Sequence, residues 1–138
     1  MAHILLIEPD RILAETYRQT LEQAGHTVSV CAGAQAAVLA ADQAKPDLVI
    51  LELQLVEHSG IEFLYEFRSY PEWQNIPVLI HSQVPLSEFS DNQELLKNEL
   101  NVANYLYKPQ TSLKALIEEI TNLLPEIPWN QNIRLALF

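Results

Sequence analysis

The sequence is poor in cysteine and glycine, and it contains no long hydrophobic run. Its single cysteine, Cys31, allows no internal disulfide, which favours a reducing compartment. The first predicted loop has no G-x-G-x-x-G motif, so we do not expect a phosphate-cradling nucleotide site there. The longest apolar runs are far shorter than the roughly 20 residues of a transmembrane helix, and no basic stretch precedes an apolar one at the start. These absences predict a cytoplasmic protein without a membrane span or signal peptide.

Positive charge is also scarce, because 8 Lys and Arg residues stand against 18 Asp and Glu residues, for a net charge of −10. Such a chain repels the phosphates of a nucleic acid or of an anionic membrane. The segment after residue 124 has no basic or helix-turn-helix pattern that would read DNA. We therefore expect no nucleic-acid and no membrane partner. A basic protein surface or a divalent cation remains compatible with this charge.

Short apolar runs alternate along the chain with amphipathic stretches. The runs predict strands at 3–7, 27–31, 47–52, 78–81 and 104–107, and the stretches predict helices at 10–25, 33–44, 59–70, 90–101 and 111–124. This alternation predicts an α/β fold with a five-stranded parallel sheet, doubly wound, in (βα)5 order with right-handed crossovers. We expect one domain at residues 1–124, followed by a tail at 125–138.

Residues typical of helix ends support these boundaries. Asp10 is placed to cap the first helix, and Gly25 to end it. Ser59 and Ser90 each stand three residues before Glu or Gln, which predicts capping boxes for the third and fourth helices. Asn101 stands where a glycine would be expected, and it tolerates the left-handed conformation of a helix end.

Four polar residues lie at the ends of predicted strands: Glu8, Glu52, Ser82 and Lys108. Because the carboxyl ends of parallel strands meet at one edge of a sheet, we expect these side chains to lie together. Ligands and chemistry in open α/β sheets collect at that edge. We therefore expect the functional site to lie around Glu52.

These residues and their flanking motifs resemble the receiver domain of two-component response regulators over residues 3 to about 124. The motifs are Ile-Leu-Leu-Ile-Glu-Pro-Asp at 4–10, Pro-Asp-Leu-Val-Ile-Leu-Glu at 46–52 with Gly60 eight residues on, Pro-Val-Leu-Ile-His-Ser at 77–82 and Tyr-Leu-Tyr-Lys-Pro at 105–109. The resemblance implies a flavodoxin-like, CheY-like fold. It also implies that a histidine kinase transfers a phosphoryl group to an aspartate at the third strand, with help from Mg²⁺.

The resemblance assigns a role to each residue at the predicted edge. Residue 52 is the phosphoacceptor position, and Glu8 and Asp10 belong to the acidic pocket around it. Ser82 and Lys108 contact the phosphoryl oxygens. Two further features are implied: Tyr105 is the aromatic residue that turns inward on activation, and the bond between Lys108 and Pro109 is cis.

The sequence departs from the receiver pattern where the chemistry takes place. The acceptor is Glu52 instead of an aspartate, which moves the carboxylate roughly 1.5 Å outwards. A misplacement of about 1 Å can cost on the order of 100-fold in a positioned reaction. The second acid of the pair is replaced by Pro9, which offers no oxygen to an ion that demands near-octahedral oxygen ligation. Val56 replaces the loop proline, and the stretch from Ser82 to Lys108 is a few residues longer than usual.

We therefore predict a degenerate, or pseudo-receiver, domain that is not an enzyme and needs no cofactor or metal. It would act as a single-domain signalling module through contact with a histidine kinase or another signalling protein. The alternative is a phosphorylatable receiver in a phosphorelay, which accepts a phosphoryl group on Glu52 or Asp10 and binds Mg²⁺ at Glu8 and Glu52. A third possibility is an unrelated small-molecule site at the same edge.

Two pairs of residues at this edge allow more than one interpretation. Glu52 and Lys108 either imitate the activated state, because the longer glutamate reaches towards the phosphoryl position, or form a structural ion pair. Ser82 and Tyr105 form either a working switch or ordinary hydrogen bonds at strand ends. His81 precedes Ser82, but adjacent strand residues point to opposite faces and cannot form a nucleophile–base pair.

The tail at 125–138 carries an apolar segment, Ile133 to Phe138. This segment packs either on its own domain or against a second subunit. Receiver domains commonly pair through the face made by the fourth helix, the fifth strand and the fifth helix, and the tail leaves beside it. A homodimer through that face or through the tail is therefore a further expectation.

Overall fold

The computed structural model describes residues 2–124 of the chain. Within that range, five strands form one sheet: β1 (His3–Ile7), β2 (Thr27–Cys31), β3 (Leu48–Leu51), β4 (Val78–Ser82) and β5 (Val102–Tyr107). Every pairing is parallel, and the spatial order is β2-β1-β3-β4-β5. The order reverses between β1 and β3, which is where ligands bind in doubly wound sheets. The predicted α/β, CheY-like fold is confirmed.

Helices cover both faces of this sheet. The described residues contain four α-helices, α1 (Arg11–Gln23), α2 (Ala34–Gln43), α3 (Gly60–Ser69) and α4 (Leu113–Leu123). Shorter turns lie between them: 3-10 helices at Pro71–Trp73, Leu86–Phe89 and Lys108–Gln110, and a π-helical turn at Leu95–Glu99. None of the helices in residues 2–124 is long and apolar enough to cross a membrane.

Two hydrophobic cores lie on opposite faces of the sheet. Leu5 and Ile7 of β1 point to one core, which α2 and α3 cover, whereas Ile4 and Leu6 point to the other, which α1 and α4 cover. Side chains along a strand alternate between the two faces. Because both faces are buried, the central strands read as continuous apolar runs and not as alternating patterns.

The predicted helix ends are largely confirmed. The Asp10 carboxylate accepts hydrogen bonds from the backbone N–H groups at the start of α1, and Ser59 Oγ accepts one from Glu62 N–H at the start of α3. Gly25 and Asn101 both have positive φ angles, of 98° and 52°. Both residues end helices in the left-handed conformation that glycine and asparagine tolerate best.

The predicted fourth helix is wrong in its start and its form. Ser90 caps no helix, because the preceding 3-10 helix runs into it, and the next helical turn begins only at Gln93. That turn is π-helical, with Leu100 N–H donating to Leu95 O at 2.9 Å. Ser, Asp and Asn at 90–92 are weak helix formers. Leu96 and Leu100 in this segment are both buried in the core.

The loop after β3 approaches the following helix closely. Gly60 N–H donates to Leu53 O at 2.8 Å, and a Cβ on Gly60 would lie 2.8 Å from Leu53 Cα. Only glycine fits this contact. The loop therefore packs closely against the start of α3, and Glu52 lies directly before Leu53, the residue that makes this contact.

Two further expectations meet different outcomes. No cis peptide bond occurs in residues 2–124, so the implied cis bond between Lys108 and Pro109 is corrected to trans. Pro109 instead lies inside the 3-10 helix Lys108–Gln110, a turn that its fixed φ angle suits. The expected tail at 125–138, with the apolar segment Ile133 to Phe138, lies outside the described residues, and the dimer expected from it stays a prediction.

Candidate functional site

Four polar residues at the carboxyl ends of β1, β3, β4 and β5 meet at one edge of the sheet. Glu8, Glu52, Ser82 and Lys108 are all buried, with exposed fractions of 4%, 3%, 0% and 8%. The strand ladder places the two glutamates, since Glu8 N–H donates to Cys31 O and Glu52 N–H donates to Ile7 O. The convergence expected from strand order therefore exists in the structure.

Lys108 joins the two carboxylates. Its Nζ lies 2.5 Å from Glu8 Oε1 and 2.7 Å from Glu52 Oε1. One ammonium group thus balances two acidic side chains in a place that solvent barely reaches. A buried carboxylate survives only when it is paired and hydrogen-bonded, and this arrangement meets both needs.

Both oxygens of Glu52 are fully engaged by hydrogen-bond donors. Oε1 accepts from Lys108 Nζ and from the backbone N–H of Gln83 at 3.1 Å. Oε2 accepts from Ser82 Oγ and from the backbone N–H of Gln54 at 3.2 Å. Four donors occupy the lone pairs that a metal ion or an electrophile would need.

The pKa values of this pair reflect opposing effects. Burial alone raises the pKa of Glu52, but its hydrogen bonds to Lys108 and Ser82 lower it, and the net shift is downward. Burial alone lowers the pKa of Lys108, but its hydrogen bonds to Glu52 and Glu8 raise it, and the net shift is upward. The pair therefore stays ionised at neutral pH.

Asp10 does not join this group through its side chain. Its carboxylate is exposed and caps α1, accepting from the N–H groups of Ile12 and Leu13 at 3.0 Å. Only its backbone reaches the site, where Asp10 N–H donates to Glu8 Oε2 at 3.1 Å. Two of the three carboxylates expected near residue 52 therefore converge, and the third serves the helix.

These residues do not fit Mg²⁺ as they are arranged. The Lys108 ammonium lies between the two carboxylates, where a cation would otherwise bind, and Pro9 supplies no oxygen ligand. Among the residues that the structure describes, no three His, Cys, Asp or Glu side chains are placed to hold a metal ion. Mg²⁺ demands near-octahedral oxygen ligation, which two engaged carboxylates do not provide.

Tyr105 is connected to Glu52 through Ser82 and Val84. Ser82 Oγ accepts from Val84 N–H at 3.0 Å, and Tyr105 Oη donates to Val84 O at 2.5 Å. Burial raises the pKa of the Tyr105 phenol to about 12, so it remains a donor. The structure therefore places the serine and the tyrosine on one continuous hydrogen-bonded segment, and the tyrosine ring also packs near Phe89.

His81 has a structural position that the sequence analysis did not assign. It is 3% exposed, and its ring meets the Tyr17 ring edge-on with centroids 5.1 Å apart. Burial, with a smaller effect of the Lys108 charge, lowers its pKa to about 4. The only sequence signal was the alternation of β4, which turns His81 away from Ser82 and towards α1.

Arg68 is the other residue that the sequence analysis missed. It is buried in the last turn of α3, and its guanidinium donates to four backbone carbonyls, those of Trp73, Gln74, Leu100 and Asn101. Burial lowers its pKa, and no carboxylate is among its hydrogen-bond partners in residues 2–124. A basic residue in the last turn of a helix usually faces solvent, so its inward direction was decided by the tertiary structure.

Comparison with protein families gives a match over nearly the whole described range. The model of the response regulator receiver domain matches residues 4–121. The KDP operon transcriptional regulatory protein KdpE of Escherichia coli (strain K12) is 34% identical over 109 residues, which are 79% of this chain and 45% of that protein. The probable transcriptional regulatory protein TcrX of Mycobacterium tuberculosis is 30% identical over 77 residues, 56% of this chain and 32% of that protein. The chain thus spans less than half the length of these two relatives.

Solved structures of similar shape cover most of the chain. The chemotaxis protein CheY4 of Vibrio cholerae superposes with a TM-score of 0.79 at 21% identity, over 90% of this chain and 99% of that one. The non-phosphorylated receiver domain of HemR from Leptospira biflexa has a TM-score of 0.77 at 25% identity, over 92% of this chain and 97% of that one. These likenesses agree with the strand order described above.

Proposed function

Because the chain belongs to the response regulator receiver domain family, we propose that it acts as a pseudo-receiver, a signalling module that recognises a protein partner without a phosphoryl group on residue 52. The supporting observation is the saturation of Glu52 by Lys108, Ser82 and two backbone N–H groups. Its partner is a histidine kinase or another signalling protein. The module acts by binding this partner, and it catalyses no reaction of its own.

The bonds of Glu52 oppose phosphoryl transfer in two ways. An attacking carboxylate oxygen would first have to leave its donors, and those donors would lose their partners inside a buried site. Two carboxylates and one ammonium group also leave the site without the extra positive charge that stabilises a transferring phosphoryl group. Without a suitable Mg²⁺ site, nothing compensates for either loss.

Glu52 also supports a fixed signalling state. Its carboxylate contacts Ser82 Oγ and Lys108 Nζ, the two groups that correspond to the phosphoryl contacts of a receiver. Ser82 in turn holds the segment to which Tyr105 is bonded. We propose that this carboxylate takes the place of the phosphoryl oxygens and keeps the serine and tyrosine in one arrangement at all times.

The test is intact mass after incubation with acetyl phosphate and Mg²⁺. The wild type is compared with a double variant, Pro9→Asp with Glu52→Asp, which restores both missing features. A second double variant, Pro9→Asp with Glu52→Asn, is the matched control without an acceptor. We expect only the first double variant to gain one phosphoryl group and to be stabilised by Mg²⁺ in a thermal titration.

A wild-type protein that gains one phosphoryl group would overturn the proposal. The protein would then be a phosphorelay receiver with an unusual acceptor, and peptide mapping would locate the group on Glu52 or Asp10. Mg²⁺ that stabilises the wild type as strongly as the Asp-containing variant would contradict the proposal as well.

A further inference from the structure

A groove away from the Glu52 site runs between the start of α2, the loop after β3 and the first two turns of α3. Two adjoining hollows of about 260 and 250 Å³ form it, and they share Ala34, Gln35 and His58. α2 and α3 pack side by side on the same core, so their outer faces form one continuous surface. None of the contacts of Glu52 described above involves this surface.

The walls of the groove are in large part apolar. The alanines at the start of α2 line one side, and Phe63 lies at the base of the other. Val56 stands at the rim with 84% of its surface exposed, more than any other large hydrophobic residue in the described range. Leu39 and Tyr65, on the outer faces of α2 and α3, are 64% and 52% exposed. Apolar side chains exposed beside such a hollow add contact area that a partner can bury.

The rim of the same groove is acidic and has no basic residue. Glu57, Glu62 and Glu66 are exposed there, and residues 46–67 contain no Lys or Arg. Arg68, the next basic residue, is buried and turned towards backbone carbonyls. Among the described residues, Glu57 and Glu66 form no ion pair, and Glu62 contacts only His58, at 3.0 Å.

Some acidic residues elsewhere on the molecule are paired with basic ones. On α1, Glu15 and Glu22 both bind Arg18, and on α4, Glu118 lies 4.0 Å from Lys114. The groove therefore combines apolar contact area with negative charge that the described part of the chain does not balance. The complementary surface is positively charged and carries apolar anchors.

We propose that this groove docks a basic, amphipathic helical segment of the partner protein. The apolar stripe of such a segment would lie between α2 and α3 against Val56, and its Lys or Arg side chains would face the glutamates of the rim. The inference rests on the proposed function, because it names the chemistry of the partner that the pseudo-receiver recognises. Charge attracts the partner and sets its orientation, and the apolar contacts hold it.

The test uses a defined probe: a fluorescein-labelled peptide of Lys and Leu, with Leu spaced to form one helical stripe. A peptide of the same composition without the stripe and a peptide with Glu in place of Lys are the controls. Binding is followed by fluorescence anisotropy with the full chain. We expect only the striped basic peptide to bind tightly, and its affinity to fall as salt is raised.

Charge neutralisation then locates the site. The groove variant carries Glu57→Gln, Glu62→Gln and Glu66→Gln, and the matched variant carries Glu88→Gln, Glu94→Gln and Glu99→Gln, which changes the net charge equally at exposed positions outside the groove. We expect the groove variant to bind about tenfold more weakly and the matched variant to bind as the wild type does. Val56→Asn should weaken binding while leaving the charge unchanged, and peptide-induced amide shifts should cluster in residues 32–36 and 56–66.

If both triple variants bound the peptide equally weakly, docking in the groove would be refuted, because the attraction would then depend on the net charge alone. Shifts that cluster instead beside β5, around Leu86 and Tyr105, would overturn it too. Neither outcome bears on the proposed function, which is contradicted by different results: phosphoryl transfer to the wild type, or stabilisation of the wild type by Mg²⁺ as strong as that of the Asp-containing variant. The two failures are thus distinguished by separate measurements.

Discussion

Lys108 is the residue on which the arrangement of the site depends. It is the shared partner of Glu8 and Glu52, and it lies within 2.7 Å of both carboxylates. The effect of a buried ion pair on stability is small or even unfavourable compared with an apolar replacement of the whole group. Removing only the cation is different, because two buried carboxylates are then left facing each other without a positive charge.

Lys108→Met is therefore expected to lower the free energy of unfolding by about 3–5 kcal/mol. Adding Glu52→Gln to it should recover part of that loss, because one of the uncompensated charges is removed. Urea unfolding followed by tryptophan fluorescence measures both effects.

Lys114→Met serves as the control for this double-variant cycle. Lys114 is exposed and lies 4.0 Å from Glu118, so its loss should cost less than about 1 kcal/mol. If the double variant at the site lost as much stability as the sum of the two single variants, the ion pair would not be the reason for the loss.

Among the elements, the Arg68 side chain joins the end of α3 to the residues just before β5. The Arg68 guanidinium reaches backward to the 3-10 turn Pro71–Trp73 and across to the carbonyls of Leu100 and Asn101. It thus satisfies the carbonyls of two irregular segments that no regular ladder pairs. The π-helical turn Leu95–Glu99 ends at the same place, directly before Leu100.

Arg68→Met should destabilise the protein by about 3 kcal/mol or more, because several buried carbonyls lose a charged donor at once. Arg68→Lys should recover only part of the stability, since an ammonium group cannot match the planar guanidinium fork. Thermal unfolding with circular dichroism detects the difference.

Arg18→Met is the matched arginine control for this experiment. Arg18 binds Glu15 and Glu22 on the exposed face of α1, so its loss should cost less than about 1 kcal/mol. Equal losses at positions 18 and 68 would contradict the role assigned to Arg68.

For the whole molecule, the dependence of stability on pH combines two buried groups. Folding lowers the pKa of His81 from its ordinary value of 6.5 to about 4. Between these two pH values the histidine is therefore protonated in the unfolded chain but neutral in the folded protein. Stability from this group is complete above pH 6.5 and is lost as the pH falls from 6.5 towards 4. Glu52, whose pKa is also lowered, loses its contribution only below its ordinary value of 4.5.

The free energy of unfolding should therefore fall by about 3 kcal/mol between pH 6.5 and 4 because of His81. His81→Phe keeps an aromatic ring against Tyr17 and should flatten this range while leaving the decline below pH 4.5. Denaturant unfolding at a series of pH values measures the slope. An unchanged slope in His81→Phe would refute the assignment.

Local patterns in the sequence were sufficient to predict the class of the fold and the edge at which the candidate site lies. Short apolar runs and helical periodicity predict the strand–helix alternation, and a parallel sheet necessarily brings Glu8, Glu52, Ser82 and Lys108 to one edge. The helix ends at Asp10 and Asn101 were also predictable, because capping and left-handed turns depend on neighbouring residues alone. Such local rules act before any tertiary contact forms.

The contacts that these side chains make could not be predicted, because they form only in the folded chain. That Lys108 bridges both glutamates, that Asp10 turns to α1, and that Arg68 points inward depend on contacts between residues far apart in the chain. The π-helical form of the turn Leu95–Glu99 was likewise not evident from the sequence, because Leu96 and Leu100, four residues apart, are typical of an ordinary α-helix. A periodic pattern shows which face is buried, but the direction of a long charged side chain depends on the partners that the folded chain places within its reach.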